Sequence, residues 1–275
     1  MVEFGLYDIF HNTPEKISQT FHLFSTQFYT NLTSTKKIHD SSLLNKTEAE
    51  RQHWNVRRWT RNIDIFGKRK ILLFPVNEVD PCPHWYLIMV LIPDTRQDTD
   101  LLPFIAVLDS VGGKRHTEVV NIKNYLLEEL KAKKNETSLN KLVQEIQIQY
   151  PVLPRQADGS SCGLYLVFYV RQIVEGFKDK AFSEVLKDTH TWFKYSEINR
   201  MRFELTCKII ATAALQGKDI KMPSFQLFGT AAEDKAEKRK WSEISKVKRS
   251  YSDYIEHVRK TKKRYNSQRK VLLLV

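Results

Sequence analysis

The sequence predicts an α+β fold, and three observations carry that expectation. Apolar runs of strand length cluster in the middle of the chain. Helix-period patterns lie before and after them. No internal repeat is present. Taken in order, Phe21, Phe24, Phe28 and Leu32 recur at intervals of three and four, which predicts an amphipathic helix. Residues 35–51 are mostly polar and read as a loop. A second short helix is expected to carry Val56, Trp59 and Ile63. Three strands follow at 71–76, 85–92 and 104–108, each an apolar run that ends at turn or polar residues. Helical periodicity resumes over 119–130 and dissolves in the Lys-rich segment after it. A short strand is expected at 145–149, an apolar helix over 163–174 and another helix over 197–216. The pattern weakens beyond Pro223. The domain reading is therefore a globular domain over 1–225, followed by a basic tail over 226–275.

A chain of 275 residues with 41% apolar and 28% charged residues can bury a full core. No apolar run approaches the roughly 20 residues needed to cross a bilayer. The start, Met1-Val2-Glu3-Phe4-Gly5, has no basic region ahead of an apolar stretch, so no signal peptide is expected. The three cysteines, Cys82, Cys162 and Cys207, are odd in number and lack metal-type spacing. That argues against a disulfide framework or a zinc ribbon and for a reducing compartment. The net charge of +12 is uneven, with 14 Lys/Arg against 6 Asp/Glu between Glu233 and Lys270. The clustered runs 238–240, 246–249 and 259–264 suggest nuclear import or an acidic partner. Nucleic-acid contact by the tail is a lesser alternative, because charge runs are usually solvated.

The chemistry concentrates around Pro154-Arg155-Gln156-Ala157-Asp158-Gly159-Ser160-Ser161-Cys162-Gly163. Small polar residues lead into a cysteine that opens an apolar helix. Unpaired amides and the macrodipole at a helix N-terminus favour a thiolate there. Gly163 lets a substrate carbonyl approach the backbone closely. A thiolate nucleophile needs a base, and the base needs an orienting carboxylate. His84 opens one buried strand, and Asp109 follows another, ahead of Gly112-Gly113. Gln156, six positions before Cys162, could complete an oxyanion hole with the Cys162 amide. Each signal is weak alone, and their value lies in the combination.

The order His84-Trp85, Asp109-Ser110, Gln156 and Cys162-Gly163 resembles the sentrin/SUMO-specific protease family of cysteine proteases. The resemblance extends to Val56-Arg57-Arg58-Trp59-Thr60, Pro75-Val76-Asn77 and the segment 21–29, and covers about 4–208. It implies a papain-like cysteine protease fold with a central mixed sheet flanked by helices. It implies Cys162, His84 and Asp109 as a triad and Gln156 as the oxyanion glutamine. It implies Trp85 as the roof over the substrate's di-glycine. The forms Val107-Leu108-Asp109-Ser110 and Pro75-Val76-Asn77 look most like the branch that trims SUMO chains. Two departures stand out. The aromatic-Leu-Asn-Asp segment expected before the first helix falls ahead of Met1, so the domain edge is read as truncated or its wall as supplied differently. Ser161 stands where many members carry Asp. Trp59 is expected in the core rather than in the channel.

The resemblance thus implies an isopeptidase that cleaves after the C-terminal Gly-Gly of SUMO-like modifiers. It would need no cofactor and no metal, work as a monomer off the membrane, and reside in the nucleus, with the cytoplasm as a second compartment. Two alternatives remain open: a protease for another ubiquitin-like modifier, and a weakly active modifier-binding protein. Cys82 reads as a small loop residue, with a redox role as a second thiol near Cys162 as the lesser alternative.

Overall fold

The structure is a computed structural model, and it describes residues 1–35, 45–67, 71–79, 83–92, 103–133, 143–179 and 182–217. The basic tail, the domain boundary near 225 and Cys82 lie outside the described residues. The chain divides into two units, Val2–Ile198 and a second made of Met1 with Asn199–Val275.

The first unit is built on a five-stranded sheet in the order β1-β2-β3-β4-β5. The strands are β1 (Phe21–Leu23), β2 (Ile71–Glu78), β3 (His84–Leu91), β4 (Phe104–Leu108) and β5 (Gln147–Gln149). Strands β2, β3 and β4 form an antiparallel meander, to which β1 and β5 add in parallel at the two edges. Leu72, Phe74 and Val76 of β2 share one face with Tyr86, Ile88 and Val90 of β3. That face joins one core cluster with α3 (Phe28–Leu32), α4 (Glu48–Val56) and α5 (His116–Lys133). Ile71, Leu73, Leu87 and Met89 alternate to the other face and are equally buried. There α6 (Cys162–Asp179) packs on β3, with α1 (Val2–His11) and α2 (Glu15–Ser18) against α6 in turn. Helices on both faces explain why β2 and β3 are apolar without alternation. Pro75 interrupts β2 beyond the β1 pairing, which ends at Leu23 opposite Leu73. A missing N–H is tolerated there.

A buried ion cluster ties α4 to α5. Glu129, 1% exposed, accepts from His53 Nε2 at 2.7 Å, Lys133 Nζ at 2.7 Å and Thr60 Oγ1 at 2.6 Å. Lys133 also donates to the Thr60 and Ile63 carbonyls, and so closes the turn after α4.

Three of the expectations read from the sequence are corrected by the structure. Phe21 pairs with Ile71 in β1, and Phe24 stacks on Phe74 with 4.1 Å between centroids. Only Phe28–Leu32 is helical, so the helix-like spacing conceals a strand, a connection and a short helix. The second helix lies earlier than expected and ends at Val56 rather than running to Ile63. Its start is a capping box: Glu50 N–H donates to Thr47 Oγ1, and Thr47 N–H donates to Glu50 Oε2. Trp59 is 39% exposed, with an edge contact to Phe28, and is not a core residue. The short helix α7 (Phe182–Val185) precedes α8 (Tyr195–Leu215), whose residues from Asn199 onward belong to the second unit. In that unit Arg200 and Glu204 pair one turn apart at 2.9 Å.

Candidate active site

Antiparallel pairing brings the start of β3 and the end of β4 to one end of the sheet. His84 is the first residue of β3, and Asp109 directly follows β4. His84 Nε2 lies 2.8 Å from Asp109 Oδ1. A carboxylate on Nε2 fixes that nitrogen as a donor and leaves Nδ1 for the Cys162 sulfur, to which His84 is also hydrogen-bonded. Tyr86, two residues along β3, stacks behind the imidazole at 5.8 Å.

Asp109 is 4% exposed, and its carboxylate is fully engaged. Oδ1 accepts from His84 and from the Val111 amide at 2.9 Å. Oδ2 accepts from the Gly113 amide at 3.1 Å and from Arg115 Nε at 2.7 Å. Four donors fill the sites two carboxylate oxygens offer. The turn that delivers them bends at Gly112, with φ +82°, a conformation suited to glycine. At Gly113 a Cβ would lie 2.7 Å from Asp109 Oδ2 and 2.6 Å from Arg115 Nε, so a side chain there would displace the pair.

Cys162 opens α6, after Ser161, whose carbonyl accepts the first helical hydrogen bonds from Leu164 and Tyr165. The Trp85 and Gly163 amides also favour the thiolate. A Cβ on Gly163 would lie 2.7 Å from Val2 Cγ2 and 3.5 Å from Trp85 Cδ1, so glycine allows α1 and Trp85 to close against the helix start.

The approach to Cys162 is held from two sides. Tyr165 and Tyr169 of α6 donate their hydroxyls to the Arg155 and Pro154 carbonyls, at 2.9 Å and 2.7 Å. These bonds give two otherwise buried phenols their partners. Asp158, not singled out in the sequence, accepts from the Ser160 and Ser161 amides at 2.7 Å, from both serine hydroxyls and from Tyr195. Burial pushes the Asp158 carboxyl up, but the Ser161 hydroxyl, the Ser160 amide and Tyr195 hold it down at about 2. Gln156 is oriented by Ser110, whose hydroxyl donates to Oε1 at 2.6 Å. Its Nε2 carries two donors, one of which goes to the Asp158 carbonyl at 2.6 Å.

The electrostatics favour an ion pair. Asp109 and then Cys162 raise the His84 pKa to about 9 against the opposing effect of burial. Burial raises the Cys162 thiol, but His84 and then the Trp85 amide hold it below its ordinary value. Burial likewise raises Asp109, and His84, the Val111 amide and Arg115 bring it below the ordinary carboxyl. The arrangement suits a thiolate–imidazolium nucleophile at neutral pH. Cys207, by contrast, is pushed up to about 11 by burial, as an inert thiol would be. Among the described residues, no group of three or more His, Cys, Asp or Glu could hold a metal ion. The structure thus brings His84, Asp109, Cys162, Trp85 and Gly163 together, with Gln156 tied to Ser110 beside Asp109. Asp158 and Arg115 carried no signal in the sequence beyond lying close to Cys162 and Asp109.

Residues 2–208 match the model of the Ulp1 protease family, C-terminal catalytic domain. Among curated proteins, the chain is 27% identical over 205 residues to ubiquitin-like-specific protease 1C of Arabidopsis thaliana, covering 70% of this chain and 33% of that protein. Over 261 residues it is 24% identical to sentrin-specific protease 7 of Homo sapiens, covering 74% of this chain and 24% of that protein. The chain thus spans about a third or less of the length of these relatives. A solved structure of a de-sumoylating protease has the same fold, with a TM-score of 0.55 and 22% identity, covering 78% of this chain and 83% of that one.

Proposed function

Because the chain belongs to the Ulp1 protease family, a family of cysteine peptidases, we propose that it is an isopeptidase cleaving after the C-terminal Gly-Gly of SUMO-like modifiers. The observation that carries this reading is His84, hydrogen-bonded to Asp109 at 2.8 Å and to Cys162 at the start of α6. In this reading the Cys162 thiolate attacks the terminal glycine carbonyl. The oxyanion is held by the Cys162 amide and the Gln156 side chain. His84 protonates the departing lysine amine, leaving a thioester, and then takes a proton from the water that hydrolyses it. Asp109 keeps the imidazole oriented and stabilises its charged form. Trp85 roofs a channel narrow enough to select residues without side chains.

The finer assignment is to trimming of SUMO chains in the nucleus. The segments Val107-Leu108-Asp109-Ser110 and Pro75-Val76-Asn77 support the first part, and the basic runs beyond Glu233 support the second. The test is a panel of ubiquitin-like modifiers carrying C-terminal electrophiles. SUMO-type probes are expected to label Cys162, and Cys162→Ala is expected to abolish labelling. Labelling by a different modifier alone would move the assignment to that modifier. No labelling by any member would leave a binding protein instead. Loss of residues 226–275 is expected to reduce nuclear accumulation while sparing cleavage, and unchanged localisation would remove the nuclear assignment.

A further inference from the structure

Asp109 can orient His84 only if its own side chain is fixed, and one residue stands out in fixing it. Arg115 Nε donates to Asp109 Oδ2 at 2.7 Å. Its Nη1 reaches Glu78 Oε2 at 2.7 Å, at the far end of β2. The guanidinium lies over the Tyr86 ring at 4.5 Å, and the same ring stacks on His84. Tyr86 in turn donates its hydroxyl to Glu78 at 3.2 Å. The Arg115 backbone sits at φ +50°, a conformation that disfavours any residue with a Cβ. Such strain persists where surrounding contacts over-determine it. Here the side chain is held at both ends, the Arg115 carbonyl accepts from the Val119 amide at 3.0 Å at the start of α5, and Gly113 leaves the space in which the Asp109–Arg115 pair forms.

We propose that Arg115 is a positioning residue for catalysis: it is a two-ended clamp, anchored on Glu78, that locks the Asp109 carboxylate against His84. The inference rests on the reading of His84, Asp109 and Cys162 as the reacting triad. A guanidinium is suited to this because its planar fork addresses two carboxylates in fixed directions. A lysine ammonium at the end of a flexible stem would supply the charge without the geometry. The groups that set the His84 titration are Asp109 after β4 and Cys162 on α6, with Tyr86 of β3 stacked on the ring. Those facing Arg115 are Asp109, Glu78 and Tyr86, with Glu118 felt through its charge.

A clamp and a bystander charge differ in sign. Without the clamp, Asp109 is left to the Val111 and Gly113 amides and loosens against His84, and the imidazole titration falls from about 9 toward that of an ordinary histidine. If Arg115 acted only as a nearby cation, its removal would leave Asp109 in place with less competition, and the titration would rise. The experiment measures two quantities that need no modifier: NMR titration of the His84 imidazole, and iodoacetamide alkylation of Cys162 across pH, followed by peptide mass spectrometry. Arg115→Ala is expected to lower the His84 titration and to slow alkylation at neutral pH by about tenfold, as the thiolate loses its partner. Arg115→Lys is expected to recover less than half of that loss. In an Asp109→Ala background, Arg115→Ala is expected to change alkylation by less than about twofold, because a residue acting through another loses its effect with it. An unmoved or raised His84 titration, or a tenfold loss persisting without Asp109, would overturn the proposal. Should Arg115→Ala fail to fold, Glu78→Gln releases the other end of the clamp. It is expected to move the His84 titration in the same direction, and no movement would likewise overturn the proposal. Failure of every modifier probe on the wild type would sink the substrate assignment and leave these measurements intact.

Discussion

Replacing Glu129 by Gln keeps the size of the side chain but removes the charge that His53, Lys133 and Thr60 surround. Burial pushes this carboxyl up. The hydrogen bonds from His53, Lys133 and Thr60 outweigh it and bring the pKa from an ordinary 4.5 to about 2. A depressed carboxyl contributes stability above its unfolded pKa and loses it as pH falls through the folded one. The drop corresponds to about 3 kcal/mol at neutral pH, about 2.5 at pH 4 and about 1.5 at pH 3. The neutral-pH figure agrees with the roughly 3–5 kcal/mol typical of breaking one partner out of a buried ion pair. With a urea slope of about 2 kcal/mol/M, Glu129→Gln is expected to lower the unfolding midpoint by about 1.5 M at neutral pH. The gap from wild type should narrow steadily toward pH 3. A gap under about 0.3 M at neutral pH, or one independent of pH, would refute the argument that the cluster favours the charged carboxylate.

Other consequences of the geometry are open to direct measurement. Turnover of a minimal modifier substrate is expected to fall as pH rises through about 9, where the His84 imidazolium loses its proton. Asp109→Asn should move that alkaline limb to lower pH, and an unmoved limb would contradict the orienting role of Asp109. Gly163→Ala places a methyl 2.7 Å from Val2 Cγ2. It is expected to lower Tm by several degrees, for a cost of about 1–3 kcal/mol from overpacking, and Val2→Ala in the same chain should restore much of the loss. Gln156→Ala is expected to lower kcat by about 100-fold with KM little changed, as for one oxyanion donor. A loss confined to KM would argue instead for ground-state binding.

How much of this could be read in the sequence depended on how local the determining interactions are. Strands β2, β3 and β4 were readable because each is an apolar run of strand length, buried on both faces. The strand ends then pointed to His84 and Asp109, and the polar lead into an apolar helix pointed to Cys162. The segment at 21–32 misled because β1 exists only through pairing with Ile71–Leu73, some fifty residues away, while its aromatic spacing imitates a helix. The start of α4 did carry a local signal, the Thr47-x-x-Glu50 capping box, inside a stretch that otherwise looks like a loop. Helix α1 went unread, although Val2 on it bears on Gly163. Arg115 and Asp158 could not be found from composition or period, because their partners are set by how the turns fold. Glu78 lies 37 positions from Arg115, and Tyr195 lies 37 from Asp158.

The sheet that carries the site also divides its contacts by range along the chain. The antiparallel meander β2-β3-β4 joins neighbours in sequence, and it alone brings His84 and Asp109 together. Cys162 arrives only when a helix more than fifty residues further along docks on that meander, a contact with a larger loop-closure cost. Two of the groups that acidify the sulfur come with that docking, the imidazole and the Trp85 amide. A chain in which α6 is undocked is therefore expected to carry a less reactive thiol. Fast alkylation at Cys162 then doubles as a gauge of the fraction of molecules that have completed folding.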